Sequence, residues 1–452
     1  MKNGDDKRVE EIFVLLYSAA KWGILSLLAG LIVGGVASVF LHLLEGSVTF
    51  VGGLPPFWRI LLLPLGLLAS AFLIKTFAPE AHGHGTEKVI EAVHYKQGYI
   101  PLKVVPVKLA ATITTLASGG SAGKEGPCAQ IGGGLMSWLA GLLRLDVEDR
   151  KKLVVCGISA GFSAVFGTPI SGAVFGVEVL YIGQMLYDVL LPSFISGIIA
   201  RIVATSFGIP GLAGRIIPIS LEWKVILLSV MAGIFFGFVS IMHIEMLNYT
   251  EIRFKRLDMS WWKKPLFGGF LLLAMALTLG TRYLGLGMDT VYEALSGARV
   301  PLFAFFIKSL AMAITLSCGG SGGVLTPTFF VGATAGATFA RLTGADPILL
   351  SVMGFTAVLA GAANTPITAS IMAMEIMGPQ ATPLAAIACV LSFVVSGHRS
   401  IYPTQVLARP KSKVFEIPPH SGEQAFYKFK ILSSKIFLSR YIRALRIKQK
   451  NK

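Results

Sequence analysis

Charge is scarce in this sequence: Asp, Glu, Lys and Arg make up 14% of its 452 residues, against 54% hydrophobic residues. With a mean hydropathy of +0.70, that scarcity excludes an ordinary soluble chain of two or three domains. Cysteine is scarcer still. Cys128, Cys156, Cys318 and Cys389 lie in apolar segments, and no two form a C-x-x-C pair. Neither a disulfide framework nor a zinc site is indicated. No nucleophile–base pair, metal cluster or cofactor motif appears, so an enzyme is not expected, and neither is a metal or cofactor. Leu284-Gly-Leu-Gly-Met-Asp289 lacks the third glycine and the βαβ setting of a dinucleotide fingerprint and reads as a loop. The start, Met1-Lys-Asn-Gly-Asp-Asp-Lys-Arg8, is mixed in charge and lacks the form of a cleaved signal peptide. The first helix is expected to remain.

What the chain has in abundance is apolar sequence. Trp22–Leu44, Trp58–Leu73, Val225–Ile241 and Phe267–Leu279 are examples, several of them near the ~20 residues that span a bilayer as a helix. The expected class is an all-α polytopic membrane protein. Because the runs do not fall into a tidy series of 20-mers, many helices should be short, tilted or broken. The net charge of +16 is concentrated in Arg253-Phe-Lys-Arg256 through Lys263-Lys264 and in the tail from Arg409 to Lys452. Basic segments beside apolar runs set topology or touch anionic lipid, so nucleic acid is not the expected partner. Both segments, and both termini, are expected in the cytoplasm.

Four divisions follow: a polar lead over residues 1–12, one repeat over 13–212, a second over 213–407, and a basic tail over 408–452. Ile12–Ser18 is expected to start a short interfacial helix, and Asp146–Lys152 reads as a polar connector. The tail is expected to form an amphipathic surface helix; it is too short for a CBS pair.

The repeats are read from Ser118-Gly-Gly-Ser-Ala-Gly-Lys-Glu-Gly-Pro127 and its echo Cys318-Gly-Gly-Ser-Gly-Gly-Val-Leu-Thr-Pro327. Lys108, Ala111, Thr115 and Leu116 recur two hundred positions later as Lys308, Ala311, Thr315 and Leu316. Downstream, Thr168-Pro169-Ile170 answers Thr365-Pro366-Ile367, and Glu178 answers Glu375, each nine residues past its proline. Glycine- and proline-broken apolar segments at corresponding places in two halves point to a transporter's central site.

The chemistry expected there is anion binding. Gly123-Lys-Glu is not the end of a nucleotide-binding loop, which needs Gly at the first position and Ser or Thr after the lysine, where this chain has Ser118 and Glu125. Glycines followed by proline instead suit exposed helix N-termini, whose free N–H groups and dipole favour anions. Two such ends directed at the midplane would hold an anion without a full cationic charge. Glu125 at one of them is an anionic side chain able to occupy the same place. The bland alternative is a Glu125 that pairs with Lys124 or caps a surface helix. His84, flanked by Gly83 and Gly85, would be ordinary in a solvated loop, except that the glycines let backbone approach closely.

Gly123-Lys-Glu-Gly-Pro127 and Gly322-Gly-Val-Leu-Thr-Pro327, in this order and spacing with Tyr402 near the last apolar segment, resemble the motifs of the CLC chloride channels and chloride/proton exchangers, the voltage-gated chloride channel family. The resemblance covers about residues 20–407. It implies two inverted-topology helical repeats with broken helices, and a homodimer with one anion pathway per subunit. It implies that Glu125 is the gating residue. Backbone amides of Val324, Leu325, Gly126 and the residues around Glu125 would hold chloride or a related anion, and Tyr402 would donate its hydroxyl. Two departures stand out. His84 replaces the family's usual serine hydroxyl, which loosens the expected preference for chloride over nitrate or fluoride. Val179 stands where many exchangers carry an inner proton-transfer glutamate. The resemblance with Val179 implies a passive gated chloride channel; the alternative is a chloride/proton antiporter of the same fold.

Overall fold

Glycine and proline set where the helices stop. The computed structural model describes residues 2–212 and 222–412, residues 2–9 by backbone alone. The first repeat builds α1 (Lys2–Gly52), α2 (Pro56–Phe77), α3 (Thr86–Tyr95), α4 (Val104–Ala117), α5 (Glu125–Leu142), α6 (Val147–Phe166), α7 (Pro169–Glu178) and α8 (Leu190–Ser206). The second answers with α9 (Trp223–Arg256), α10 (Lys263–Leu279), α11 (Met288–Leu295), α12 (Ala304–Ser317), α13 (Leu325–Thr343), α14 (Pro347–Ala363), α15 (Pro366–Met377) and α16 (Thr382–Val395). Even a single 3-10 turn recurs, Pro79–Ala81 in one half and Thr281–Tyr283 in the other.

Local chemistry repeats with the helices. Asp146 caps α6 by accepting from Asp149 N at 2.9 Å, and Asp346 caps α14 by accepting from Ile348 N at 2.8 Å. Each cap satisfies an N–H that the first turn would leave open. Proline opens α7, α14 and α15, where its missing N–H costs nothing. α1, α2, α9 and the stretch Tyr187–Ser206 are long and apolar enough to cross a membrane, whereas α4, α12, α14, α15 and α16 are apolar but only 10–17 residues long. The result is a multi-span membrane protein with broken helices.

Small residues let these helices touch at the backbone, as in many membrane interfaces. A Cβ on Gly132 would lie 2.3 Å from the Gly157 carbonyl oxygen, and one on Gly332 would lie 2.3 Å from that of Gly354. α5 is thus pressed onto α6 and α13 onto α14. Where the repeats meet, Gly123 and Gly323 form an antiparallel bridge, each N–H donating to the other's carbonyl at 2.7 Å. Ser121 N donates to Thr315 Oγ1 at 3.0 Å, and Ser321 N to Thr115 Oγ1 at 2.9 Å. Reciprocal contacts of this kind, with the chain running in opposite directions, are those of a two-fold relation between the halves.

Three expectations change. α1 runs unbroken from Lys2 to Gly52, so Ile12–Ser18 are upstream turns of that helix and not a separate one; no proline interrupts them. Most of the Asp146–Lys152 connector is the capped first turn of α6. Half of the basic segment over 253–264 is helix end and helix start, leaving 257–262 as the loop. The amphipathic helix expected in the tail falls outside the described residues beyond 412.

Candidate functional site

Three helix starts converge at the bridge between the repeats. After α4 the chain reverses through Gly119 at φ +102°, and after α12 through Gly319 at φ +113°, a backbone region that side chains rarely adopt. These turns deliver the N-termini of α5 and α13 to the same place. The third is α3, approached through Gly83 and Gly85 at φ +91° and +85°. A Cβ on Gly85 would lie 2.2 Å from the Gly126 carbonyl oxygen, and one on Gly126 would lie 2.1 Å from that of His84. The close backbone approach expected from Gly83-His84-Gly85 is therefore made, and its target is the start of α5.

Glu125 is the first residue of α5 and only 1% exposed. Its side chain crosses to the other repeat. Oε1 accepts from Thr326 N at 2.7 Å, and Oε2 accepts from the Thr326 hydroxyl. A carboxylate thus sits on the N-terminal turn of α13, where an anion would be held by the same N–H and by the helix dipole. It neither pairs with Lys124 nor caps a surface helix. Val324 and Leu325 lie buried in the turn beneath it. Thr326 escaped the sequence reading, which expected the Val324 and Leu325 amides. Its only signal was a hydroxyl in the first turn of a helix thought to bind anions.

Tyr402 is fully buried, and its hydroxyl lies within electrostatic reach of Glu125 and Glu87 and close to Thr86. Its segment is anchored at many points. Ile401 N donates to Ala362 O at 2.9 Å, Tyr402 N to Ser400 Oγ at 3.0 Å, and Thr404 Oγ1 to Glu87 O at 2.9 Å. Gln405 Nε2 donates to the carbonyls of Val179 and Ala363, both at 2.8 Å. A two-residue parallel ribbon, β1 (Tyr181–Ile182) with β2 (Val406–Leu407), continues the tie. Val179 is fully buried and enters this anchoring through its backbone.

His84, 7% exposed, places Nδ1 3.2 Å from Glu87 Oε2, at ion-pair distance but not aligned for a hydrogen bond. His84 Nδ1, Thr86 Oγ1 and Tyr402 Oη are all buried and unpartnered within the protein. Buried polar groups are nearly always satisfied, so these three orphans suit a polar guest. Lys108 holds the loop beneath them, donating to Gly83 O at 2.7 Å and Ala81 O at 3.1 Å. Glu178 is placed away from this chemistry, at a helix start of the other repeat. It accepts from Ile367 N at 3.0 Å, Thr368 N at 2.8 Å and Thr368 Oγ1 at 2.6 Å. Glu375 returns the contact, accepting from Ile170 N and Ser171 N, both at 2.9 Å. Among the described residues no cluster of His, Cys, Asp and Glu is suited to a metal ion.

The chain as a whole is similar to known proteins. Residues 65–397 match the family model described as voltage gated chloride channel. A chloride/fluoride channel protein of Pseudomonas syringae pv. tomato is 35% identical over 415 residues, 90% of each chain. An H(+)/Cl(-) exchange transporter of Citrobacter koseri is 27% identical, over 77% of this chain and 80% of its own. Among solved structures, a CLC-type fluoride/proton antiporter superposes with a TM-score of 0.82 at 27% identity, over 87% of this chain and 99% of that one. A slow cyanobacterial Cl-/H+ antiporter has a TM-score of 0.73 at 20% identity, a likeness of fold alone.

Proposed function

The chain belongs to the voltage-gated chloride channel family, and from that premise we propose that it exchanges a small halide, fluoride or chloride, for protons across a membrane. It is an anion transporter and not an enzyme. The observation that carries the reading is the Glu125 carboxylate seated on the N-terminus of α13. An ionised Glu125 competes with the anion for that N–H. A protonated Glu125 loses most of its claim on the dipole and leaves the place to the anion. Proton binding at Glu125 and anion binding at the α13 N-terminus are therefore linked through one place, which is the minimum that exchange requires.

Val179 favoured a passive channel when the sequence stood alone. The solved and curated relatives tilt the reading to exchange, because those described as antiporters or exchangers include the fluoride/proton antiporter that this fold overlays nearly end to end. Fluoride stands beside chloride because the relatives divide between them. The donors on offer, an imidazole, two hydroxyls and backbone N–H groups, suit either. We place the basic segment around 253–264 and both termini on the cytoplasmic side by the positive-inside rule, and the assembly as a homodimer with one pathway per subunit.

The test is uphill transport. Purified protein in liposomes loaded with chloride or with fluoride should take up protons against their gradient as the anion leaves. Anion efflux whose reversal potential ignores an imposed pH gradient would restore the channel reading. His84→Ser should change the order among chloride, nitrate and fluoride; an unchanged series would put His84 outside the pathway.

A further inference from the structure

An exchanger needs a proton route from Glu125 to each side of the membrane, and the side reached through the buried apolar Val179 offers no acid there. Glu178, next in sequence, has both carboxylate oxygens committed to the start of α15. A different acid faces open space. A cavity of about 760 Å³ lies between α2, α3, α9 and the start of α10, and both His84 and Glu87 line it. Its lining includes Lys255, Trp261 and Lys264 from the basic segment, the segment placed above on the cytoplasmic side. The Glu87 side chain is 17% exposed and His84's 8%, a wet acid touching a nearly dry imidazole.

We propose that Glu87 and His84 are the inner proton port of this exchanger, passing protons between the cavity and Glu125. The inference rests on the exchange reading above. An inward-bound proton leaves Glu125, reaches the imidazole past the Tyr402 and Thr86 hydroxyls, and is handed from Nδ1 to Glu87 Oε2 and then to water. Each step breaks one O–H or N–H bond and makes another, and nothing else is consumed. Imidazole suits the middle place because it accepts on one nitrogen while releasing from the other. The hydroxyls suit theirs because each both donates and accepts, and neither is tied to a protein partner.

The charged neighbours leave Glu87 as the free acid of the cavity. Glu251 of α9 is paired with Lys255 at 2.6 Å. Lys88 is held by Glu91 at 2.7 Å, and Lys75 lies over the Trp261 ring at 4.4 Å. Lys108 is bound to the loop carbonyls. His82 and Lys264 complete the titratable lining. The surplus of lysines draws anions into the same mouth, so anion and proton would share an inner entrance and part at His84.

The experiment compares full-length wild type, Glu87→Gln, Glu87→Asp and Glu251→Gln in liposomes, reading anion efflux and proton uptake together. Glu87→Gln should keep moving anions while protons carried per anion fall at least about tenfold, the scale of a lost acid–base group. Glu87→Asp should restore most of the ratio, and Glu251→Gln should keep the wild-type ratio. A wild-type ratio in Glu87→Gln overturns the port and leaves exchange standing. A wild type that carries no protons overturns exchange and the port together. If Glu87→Gln does not fold, Glu87→Ala decides: it should slow proton uptake at least about tenfold more than anion efflux, and equal slowing of both overturns the port.

Discussion

The two halves of this protein share a scaffold and divide the chemistry. Lys108 and Lys308 are each fully buried and each donate to two loop carbonyls, Lys308 to Gly285 O at 2.7 Å and Tyr283 O at 3.2 Å. Thr115 and Thr315, Asp146 and Asp346, and Glu178 and Glu375 are equally matched. At the centre the match stops. Lys124-Glu125 faces Val324-Leu325, and His84-Gly-Thr86 faces Leu286-Gly-Met288. Symmetry therefore builds the place where helix ends meet, and one repeat alone supplies its carboxylates and imidazole. A proton and an anion can then be handled by one site without two competing carboxylates.

The sharpest way to break that asymmetry is Glu125→Gln. It removes the one acid at the bridge, so proton uptake should fall by about a hundredfold or more while anion flux persists or rises. Retained proton uptake at the wild-type ratio in liposomes would assign the coupling elsewhere.

Gly123 and Gly323 form the next comparison, since both would meet Glu125 if given a Cβ. On Gly123 the nearest atom is Glu125 Oε1 at 2.2 Å, the far end of a flexible side chain. On Gly323 the added atom would also lie 2.7 Å from Gly126 N, and backbone cannot swing aside. Gly123→Ala should push the carboxylate off α13 and raise anion flux with little loss of stability. Gly323→Ala should cost about 1–3 kcal/mol from overpacking, seen as a lower unfolding temperature in detergent. Equal unfolding temperatures for the two variants would mean that the bridge is softer than its hydrogen bonds suggest.

Much of this was legible in the sequence because the two diverged repeats keep their glycines, prolines and a few polar residues at matching positions. The shared glycines gave the turns, the prolines gave the helix starts, and the glycine pair around His84 gave its close approach. The partners across the two-fold were not legible. That Glu125 reaches Thr326 depends on the bridge folding the chain back on itself across two hundred residues, which no local pattern records. The recurrence of Lys108 as Lys308 was visible, but its reason, a buried ammonium serving loop carbonyls, required the fold. The unbroken α1 was missed because polarity was read as a boundary, although a helix ends only where its backbone is interrupted or capped.

Thr326→Val sharpens the comparison at the α13 end alone. It removes the hydroxyl held by Glu125 Oε2 and leaves the Thr326 N–H in place. A hydrogen bond to a charged group contributes about 1.5–3 kcal/mol, so the carboxylate should leave α13 about ten- to 150-fold more readily. The pH profile of anion flux should then shift, with more of the flux persisting at the high-pH end. An unchanged pH profile would assign the hold to the N–H and dipole alone.

The smallest effect tests the symmetric pair and the proton port at once. Glu178 and Glu375 each cap the other repeat's helix, Glu178 with one further donor from the Thr368 hydroxyl. Replacing either by Gln keeps one acceptor oxygen but turns the other position into an NH2 group facing a backbone N–H, and loses the charge that the helix N-terminus favours, a loss of about 1–3 kcal/mol. Both variants should unfold at slightly lower temperature, Glu178→Gln marginally more so. Neither should alter the number of protons carried per anion, because a carboxylate holding two N–H groups is committed to its helix and cannot alternate with a proton without releasing it. If Glu178→Gln uncoupled protons while Glu375→Gln did not, the pair would be symmetric in structure only, and the inner acid would be Glu178 in place of Glu87.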